Sequence, residues 1–164
     1  MHHPNIQHRS SIRPSITFWI IEPVPFERKH EVVAFINDPF GPGRYFLEAR
    51  DGTRLIAAIG YVPYNHRFPQ FKYHDLHTVE VVRLYLLPEY RRRGLAAALF
   101  STLYQRAHAT GIQRLYLHTH PCLPGAVKSW RKHGFEIVQV EDDPTWRTTH
   151  MELPLKRLNG NLEV

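Results

Sequence analysis

The chain has 164 residues, 43% of them hydrophobic and 22% charged, with a formal net charge of +6, a composition that suits one globular domain with a substantial core. No apolar run approaches the roughly 18–20 residues of a membrane-spanning helix, and the single cysteine, Cys122, excludes an internal disulfide and fits a cytoplasmic location. The positive balance favours an anionic partner, whether nucleic acid, a phosphate-rich cofactor or an acidic substrate, without choosing among them.

Residues 1–14 are rich in His, Arg, Ser and Asn and lack the apolar stretch of a secretory signal. They read as a poorly ordered leader, residues 15–158 as a single domain, and 159–164 as a tail. Ile16 to Ile21 is an apolar, β-prone run ending at Glu22-Pro23, and predicts a first strand. Phe26 to Asn37 carries a helical stripe, punctuated by Asp38-Pro39 and Gly41-Pro42-Gly43. Tyr45 to Ala49 and Arg54 to Tyr61 flank Asp51-Gly52, a hairpin signal. Pro63 to Asp75 mixes turn formers, aromatics and cations. It reads first as a surface loop with a few anchoring aromatics, although such interleaving can also stack bases or line a substrate pocket.

Thr78 to Leu87 is rich in β-branched and aromatic residues and predicts a long strand. Gly94 to Ala109 follows as a helix, with Leu95, Leu99, Leu103 and Ala107 recurring every fourth residue on one face. Thr110-Gly111 supplies its stop. Leu115 to His118 predicts a strand and Gly125 to His133 a short helix closed by Gly134. Phe135 to Val140 and His150 to Leu155 predict two final strands joined by a polar connection containing Pro144. This order implies a mixed sheet with helices packed on its faces.

The most informative stretch runs from Leu84 to Ala97. It places a strand, a tight turn carrying Arg91, Arg92 and Arg93, and a helix start at Gly94 in succession. The first turn of a helix has N–H groups without intrahelical partners, and the helix dipole adds positive charge there. Glycine lets an anion approach the backbone closely. Such a turn is built to hold phosphate, although an isolated match to Arg-x-x-Gly-x-Ala is also how a solvated basic turn would read.

Arg91-Arg92-Arg93-Gly94-Leu95-Ala96 resembles the Gln/Arg-x-x-Gly-x-Gly/Ala motif of the GCN5-related N-acetyltransferase (GNAT) family. Leu84-Tyr85-Leu86 resembles the family's strand segment beside the pantetheine arm. Gly125 to Phe135 resembles its last helix and the Gly-Phe entry into the next strand. The resemblance is strongest over residues 78–140. It implies an α/β (α+β) fold with a mixed, mostly antiparallel central sheet of six to seven strands and helices on both faces. It implies acetyl-CoA as cosubstrate, with the pyrophosphate on the backbone from Arg91 through Gly94, Leu95 and Ala96 to Ala97 and the pantetheine along Leu84, Tyr85 and Leu86. It also implies an amine acceptor, direct attack without a covalent enzyme intermediate, and leaves a homodimer open.

Glu80 is a lone carboxylate in the apolar strand Val79-Glu80-Val81-Val82. It suits an outward-facing residue paired with Arg83 or a cross-strand cation, and equally a general base, since a lysine-like amine of pKa about 10.4 must lose a proton before it attacks a thioester. Burial among valines would raise the carboxyl pKa and make it a better base. In the histone acetyltransferase branch of the family the general-base glutamate holds the corresponding place on this strand, which the resemblance carries onto Glu80.

Two positions depart from the family pattern. Trp130 stands where many members have a tyrosine that protonates the leaving thiolate, and an indole N–H is no useful proton source. Leu123 replaces an asparagine. His118, His120 and Cys122 have poor spacing for a metal, so no metal site is expected; His118 or His120 suits the wall of an acceptor site. A non-catalytic acyl-CoA-binding module on the same fold and, further off, a nucleic-acid-binding protein are the competing readings.

Overall fold

The computed structural model describes residues 43–74 and 76–156. The strand and helix predicted within residues 16–37, the leader, the tail and Asp75 lie outside them. The described residues fall into two compact units, one comprising 43–62 and 81–103, the other 63–80 and 104–156.

The first unit opens with a hairpin of β1 (Tyr45–Asp51) and β2 (Arg54–Pro63), paired antiparallel from Tyr45↔Tyr61 to Asp51↔Arg54. The loop is Gly52-Thr53, with Gly52 at φ +57, the left-handed conformation that a two-residue hairpin turn requires. A register shift at Ala49/Arg50 marks a bulge. The C-terminal half of β3 (Thr78–Leu86) lies next to β2 in the strand order. A short 3-10 turn, Pro88–Tyr90, then leads to α1 (Leu95–Ala109). The predicted stripe is realised: Leu99, Leu103 and Ala107 are buried, with Phe100 beside them. Leu95 is only half-buried.

The second unit begins with Pro63 and takes in the loop before β3 and the first residues of β3, Thr78–Glu80, which pair in parallel with Arg114–Tyr116 of β4 (Arg114–Thr119). After α2 (Ala126–Lys132) come β5 (Glu136–Val140) and β6 (Thr149–Pro154). β6 lies between β4 and β5 and is antiparallel to both. Its residues Thr149, His150 and Met151 are buried. Gly134, at φ +92, ends the helical turn so that the buried Phe135 can begin the next segment.

Six strands are thus present among the described residues, in a mixed arrangement whose β1/β2, β4/β6 and β5/β6 pairs are antiparallel. The loop from Tyr64 to Tyr73 is anchored by its aromatics, as the first of its sequence readings has it, and not built as a stacking surface. Tyr64, Phe71 and Tyr73 are not presented at the surface but form a core cluster with Tyr116 of β4, and Phe68 packs against it. Ring edges meet faces at 5.0 Å for Tyr64–Tyr116 and 5.4 Å for Tyr64–Tyr73, a geometry that stabilises aromatic pairs beyond the area they bury. These rings are not available to stack nucleic-acid bases.

Candidate active site

The basic turn has the form its sequence suggests. Leu87 accepts from Tyr90 N–H and Pro88 from Arg91 N–H, closing the 3-10 turn. Arg92 at φ +60 and Gly94 at φ +78 then reverse the chain into α1. The first intrahelical bond there runs from Ala98 N–H to Gly94 C=O at 3.0 Å. No acidic side chain occupies the first turn of α1. A Cβ built on Gly94 meets nothing within 4 Å, so the approach to the backbone is open at this point. The flanks are braced: Tyr90 donates to Asp51 at 2.5 Å, Arg54 pairs with Glu89 at 2.5 Å, and Arg93 lies over the Tyr90 ring at 5.4 Å. The residues present therefore fit a pyrophosphate, with the N–H groups of a helix start, a positive helix end and no carboxylate in the first turn of α1.

Glu80 is buried, with 7% of its side chain exposed. Arg67 reaches it from the preceding loop and donates from both guanidinium nitrogens, one to each carboxylate oxygen, at 2.6 Å. His118 Nδ1, on β4, lies 3.1 Å from the same Oε1. Arg67 Nη2 is 3.3 Å from that ring nitrogen. A carboxylate only accepts and a guanidinium only donates. Because Arg67 is already committed to Glu80 at shorter range, the geometry favours an Nδ1–H donating to Glu80.

This arrangement reverses one expectation. Burial alone pushes the Glu80 carboxyl up, as an apolar strand suggested. The hydrogen bonds from Arg67 and His118, with the Arg67 and His118 charges, outweigh it and hold the group at about 2. Glu80 is an ionised carboxylate throughout the physiological range, not a carboxyl tuned toward neutrality.

A second polar chain was not anticipated from the sequence. His150 of β6 is fully buried, with Nδ1 2.7 Å from the Tyr116 hydroxyl and Nε2 2.9 Å from Glu141 Oε1. Glu141 as acceptor places the proton on Nε2, leaving Nδ1 to accept from Tyr116. Burial holds the His150 pKa below its ordinary value despite Glu141. Tyr116 is pushed up, first by burial and then by the Glu80 charge. The signal for this chain, an isolated His in an apolar strand segment, was visible; its partners were not.

The acetyltransferase (GNAT) family model matches residues 13–135, three quarters of the chain. The chain belongs to this family.

Solved structures agree on the fold. An acetyltransferase from Streptococcus agalactiae superposes with a TM-score of 0.64 at 15% identity, covering 82% of this chain and 80% of that one. A phosphinothricin acetyltransferase from Sinorhizobium meliloti, in complex with AcCoA, gives 0.61 at 24% identity, over 80% and 75%. PaiA N-acetyltransferase from Thermoplasma acidophilum, in complex with coenzyme A, gives 0.56 at 22%, over 77% and 68%. A search of the curated proteins found no match. As a GNAT member the chain is an acetyltransferase with acetyl-CoA as donor, and the open first turn of α1 is the feature of its own structure that fits that donor.

Within the GNAT frame, Trp130 of α2 is a core residue. It is buried and meets Phe135 edge to face at 5.3 Å. His120 follows β4, its ring 5.7 Å from both His118 and Trp146. Cys122 is exposed. Among the described residues no group of three or more His, Cys, Asp or Glu side chains is placed to hold a metal ion. Nor is any helix among them long and apolar enough to cross a membrane.

Proposed function

We propose that the enzyme is an N-acetyltransferase that moves the acetyl group of acetyl-CoA to a primary amine by direct attack. The observation that carries this reading is the ionised Glu80 buried beside His118. A neutral amine is needed at the thioester, and a carboxylate–imidazole pair supplies a proton acceptor. With Glu80 accepting from Nδ1–H, Nε2 of His118 keeps a lone pair for the amine proton, directly or through water. The Glu80 charge then stabilises the imidazolium that forms. Glu80 remains the site's carboxylate in this reading, with His118 as its partner.

The remaining assignments follow the family resemblance. The backbone from Arg91 to Ala97 takes the pyrophosphate, and Leu84, Tyr85 and Leu86 flank the pantetheine. A backbone N–H near Leu86 donates to the thioester oxygen as it gains negative charge. The amine nitrogen bonds to the thioester carbon to give a tetrahedral intermediate, which collapses with cleavage of the C–S bond as CoA leaves as a thiolate.

Calorimetric titration of acetyl-CoA into wild type and Gly94→Glu tests the donor site. Micromolar binding by wild type, lost in a folded Gly94→Glu, is the expected result; no binding by folded wild type overturns the reading. Amine-dependent release of CoA thiol, reduced in Glu80→Gln, tests the chemistry. Binding without turnover over a broad amine panel would favour a non-catalytic acyl-CoA-binding module.

A further inference from the structure

The second unit contains a cleft of about 690 Å³ that the proton-transfer pair does not use. Its lining includes His120 after β4, Val127, Lys128 and Arg131 of α2, Arg147 of the β5–β6 connection and Thr149 at the start of β6. Three cations and a histidine line it, and no carboxylate does. The side chains of Lys128, Arg131 and Arg147 have no ion pair or hydrogen bond among the described residues. Two of the three carboxylates in the β5–β6 connection are engaged elsewhere, and the third, Asp142, is not among the lining residues. Asp143 Oδ1 accepts from the N–H groups of Thr145 and Trp146 at 2.8 Å, and Glu141 is held by His150.

Arg147 is placed with some strain. Its φ is +40, in the left-handed region that a non-glycine residue rarely adopts, and its N–H is tied to Asp143 C=O at 3.0 Å. Such strain clusters at ligand clamps and active sites. Three like charges facing one cleft also repel, and an anion among them relieves that repulsion. His120 links the cleft to the proposed chemistry: its ring lies 5.7 Å from His118, and His118 Nδ1 lies 3.1 Å from Glu80.

We propose that the cleft holds the anionic group of the acceptor, so that the substrate is an amine bearing a compact oxyanion, a carboxylate or a phosphate. The inference rests on the N-acetyltransferase reading for the role of the bound molecule, though not for the binding itself. Lys128, Arg131 and Arg147 take the oxyanion. The amine end passes His120 toward His118, gives up its proton to the Glu80–His118 pair, and forms the amide bond as the thioester C–S bond breaks and CoA departs.

Two measurements separate the cleft from the chemistry. The first is equilibrium titration of O-phosphoethanolamine and β-alanine, beside their neutral counterparts ethanolamine and propylamine, without acetyl-CoA. Saturable binding of one or both anionic amines, weakened about tenfold or more in Arg147→Ala and in Lys128→Ala, is expected, and the stronger of the two identifies phosphate or carboxylate. Absence of binding by both, or equal binding of the neutral counterparts, overturns the proposal. The second is kcat/KM for the same four amines. A preference of about tenfold or more for the anionic amine, falling toward one in Arg147→Ala, supports the acceptor role. Acetylation of the neutral amines with equal efficiency overturns that role while leaving the N-acetyltransferase reading intact. Anion binding without acetylation of any amine keeps the anion site and removes the N-acetyltransferase reading.

Discussion

Arg67 holds both carboxylate oxygens of Glu80 at 2.6 Å from a loop thirteen residues earlier in the chain. Glu80 is the more buried partner, so removing the guanidinium strands a desolvated charge. We expect Arg67→Ala to destabilise the protein by at least about 2 kcal/mol at pH 7, read from urea unfolding, with Arg67→Lys recovering part of the loss. An Arg67→Ala midpoint equal to wild type would show that the pair contributes nothing to the folded state.

Two of the depressed pKa values, those of His150 and Glu80, bear on the acid limb of stability. His150 has a folded pKa below its unfolded value, so the unfolded chain takes up the proton first. Its contribution is present above about pH 6.5 and is lost as pH falls through the folded value. Glu80, lowered from 4.5 to about 2, contributes above about pH 4.5 and loses that contribution as pH falls toward 2. Unfolding free energy measured against pH should therefore fall in two stages. His150→Gln should reduce the upper stage and Glu80→Gln the lower; a wild-type curve flat between pH 7 and 5 contradicts the His150 assignment, and one flat between pH 4.5 and 2 contradicts the Glu80 assignment.

The described elements and the shape of the basic turn were legible because their determinants are local. The α1 stripe is a four-residue recurrence, and Leu99, Leu103 and Ala107 are buried as it requires. The turn at Gly94 combines a strand end, cations and a helix start within one short stretch. Glu80 stood out as a charge in an apolar run. Its behaviour did not, because that depends on Arg67 and on His118, the latter brought into range by the parallel pairing of Glu80 with Tyr116. Desolvation is a property of the strand and could be foreseen, whereas the compensating hydrogen bonds are tertiary. The same holds for His150, whose partners Tyr116 and Glu141 come from β4 and from the residue after β5. The aromatics of the loop before β3 were visible, but composition could not tell a buried cluster from a stacking surface.

Trp130 occupies the place of a proton-donating tyrosine in many GNAT members, yet it is buried and packed on Phe135. Truncation should open a cavity, so Trp130→Ala is expected to cost about 3–5 kcal/mol. Trp130→Phe, which keeps most of the packing and removes the indole N–H, should leave kcat within about threefold of wild type, a change worth only about 0.7 kcal/mol at the barrier. A tenfold or greater loss of kcat in folded Trp130→Phe would show that the indole takes part in the chemistry.

Glu80 also makes a prediction about catalysis that separates an ionised carboxylate from a titrating base. With its carboxyl held at about 2, protonation of Glu80 falls below the pH range of an ordinary assay. The acid limb of kcat/KM should therefore not be the titration of this carboxylate. Glu80→Gln keeps a hydrogen-bond acceptor near His118 Nδ1 but removes the charge that stabilises an imidazolium, so the plateau should drop by about 10²-fold or more. His118→Asn, which removes the proton acceptor while leaving Glu80 and Arg67 paired, should cost a similar factor. The double variant should cost little more than either single change if the two residues act as one unit. Independent, multiplying losses would instead assign Glu80 a role that does not pass through His118.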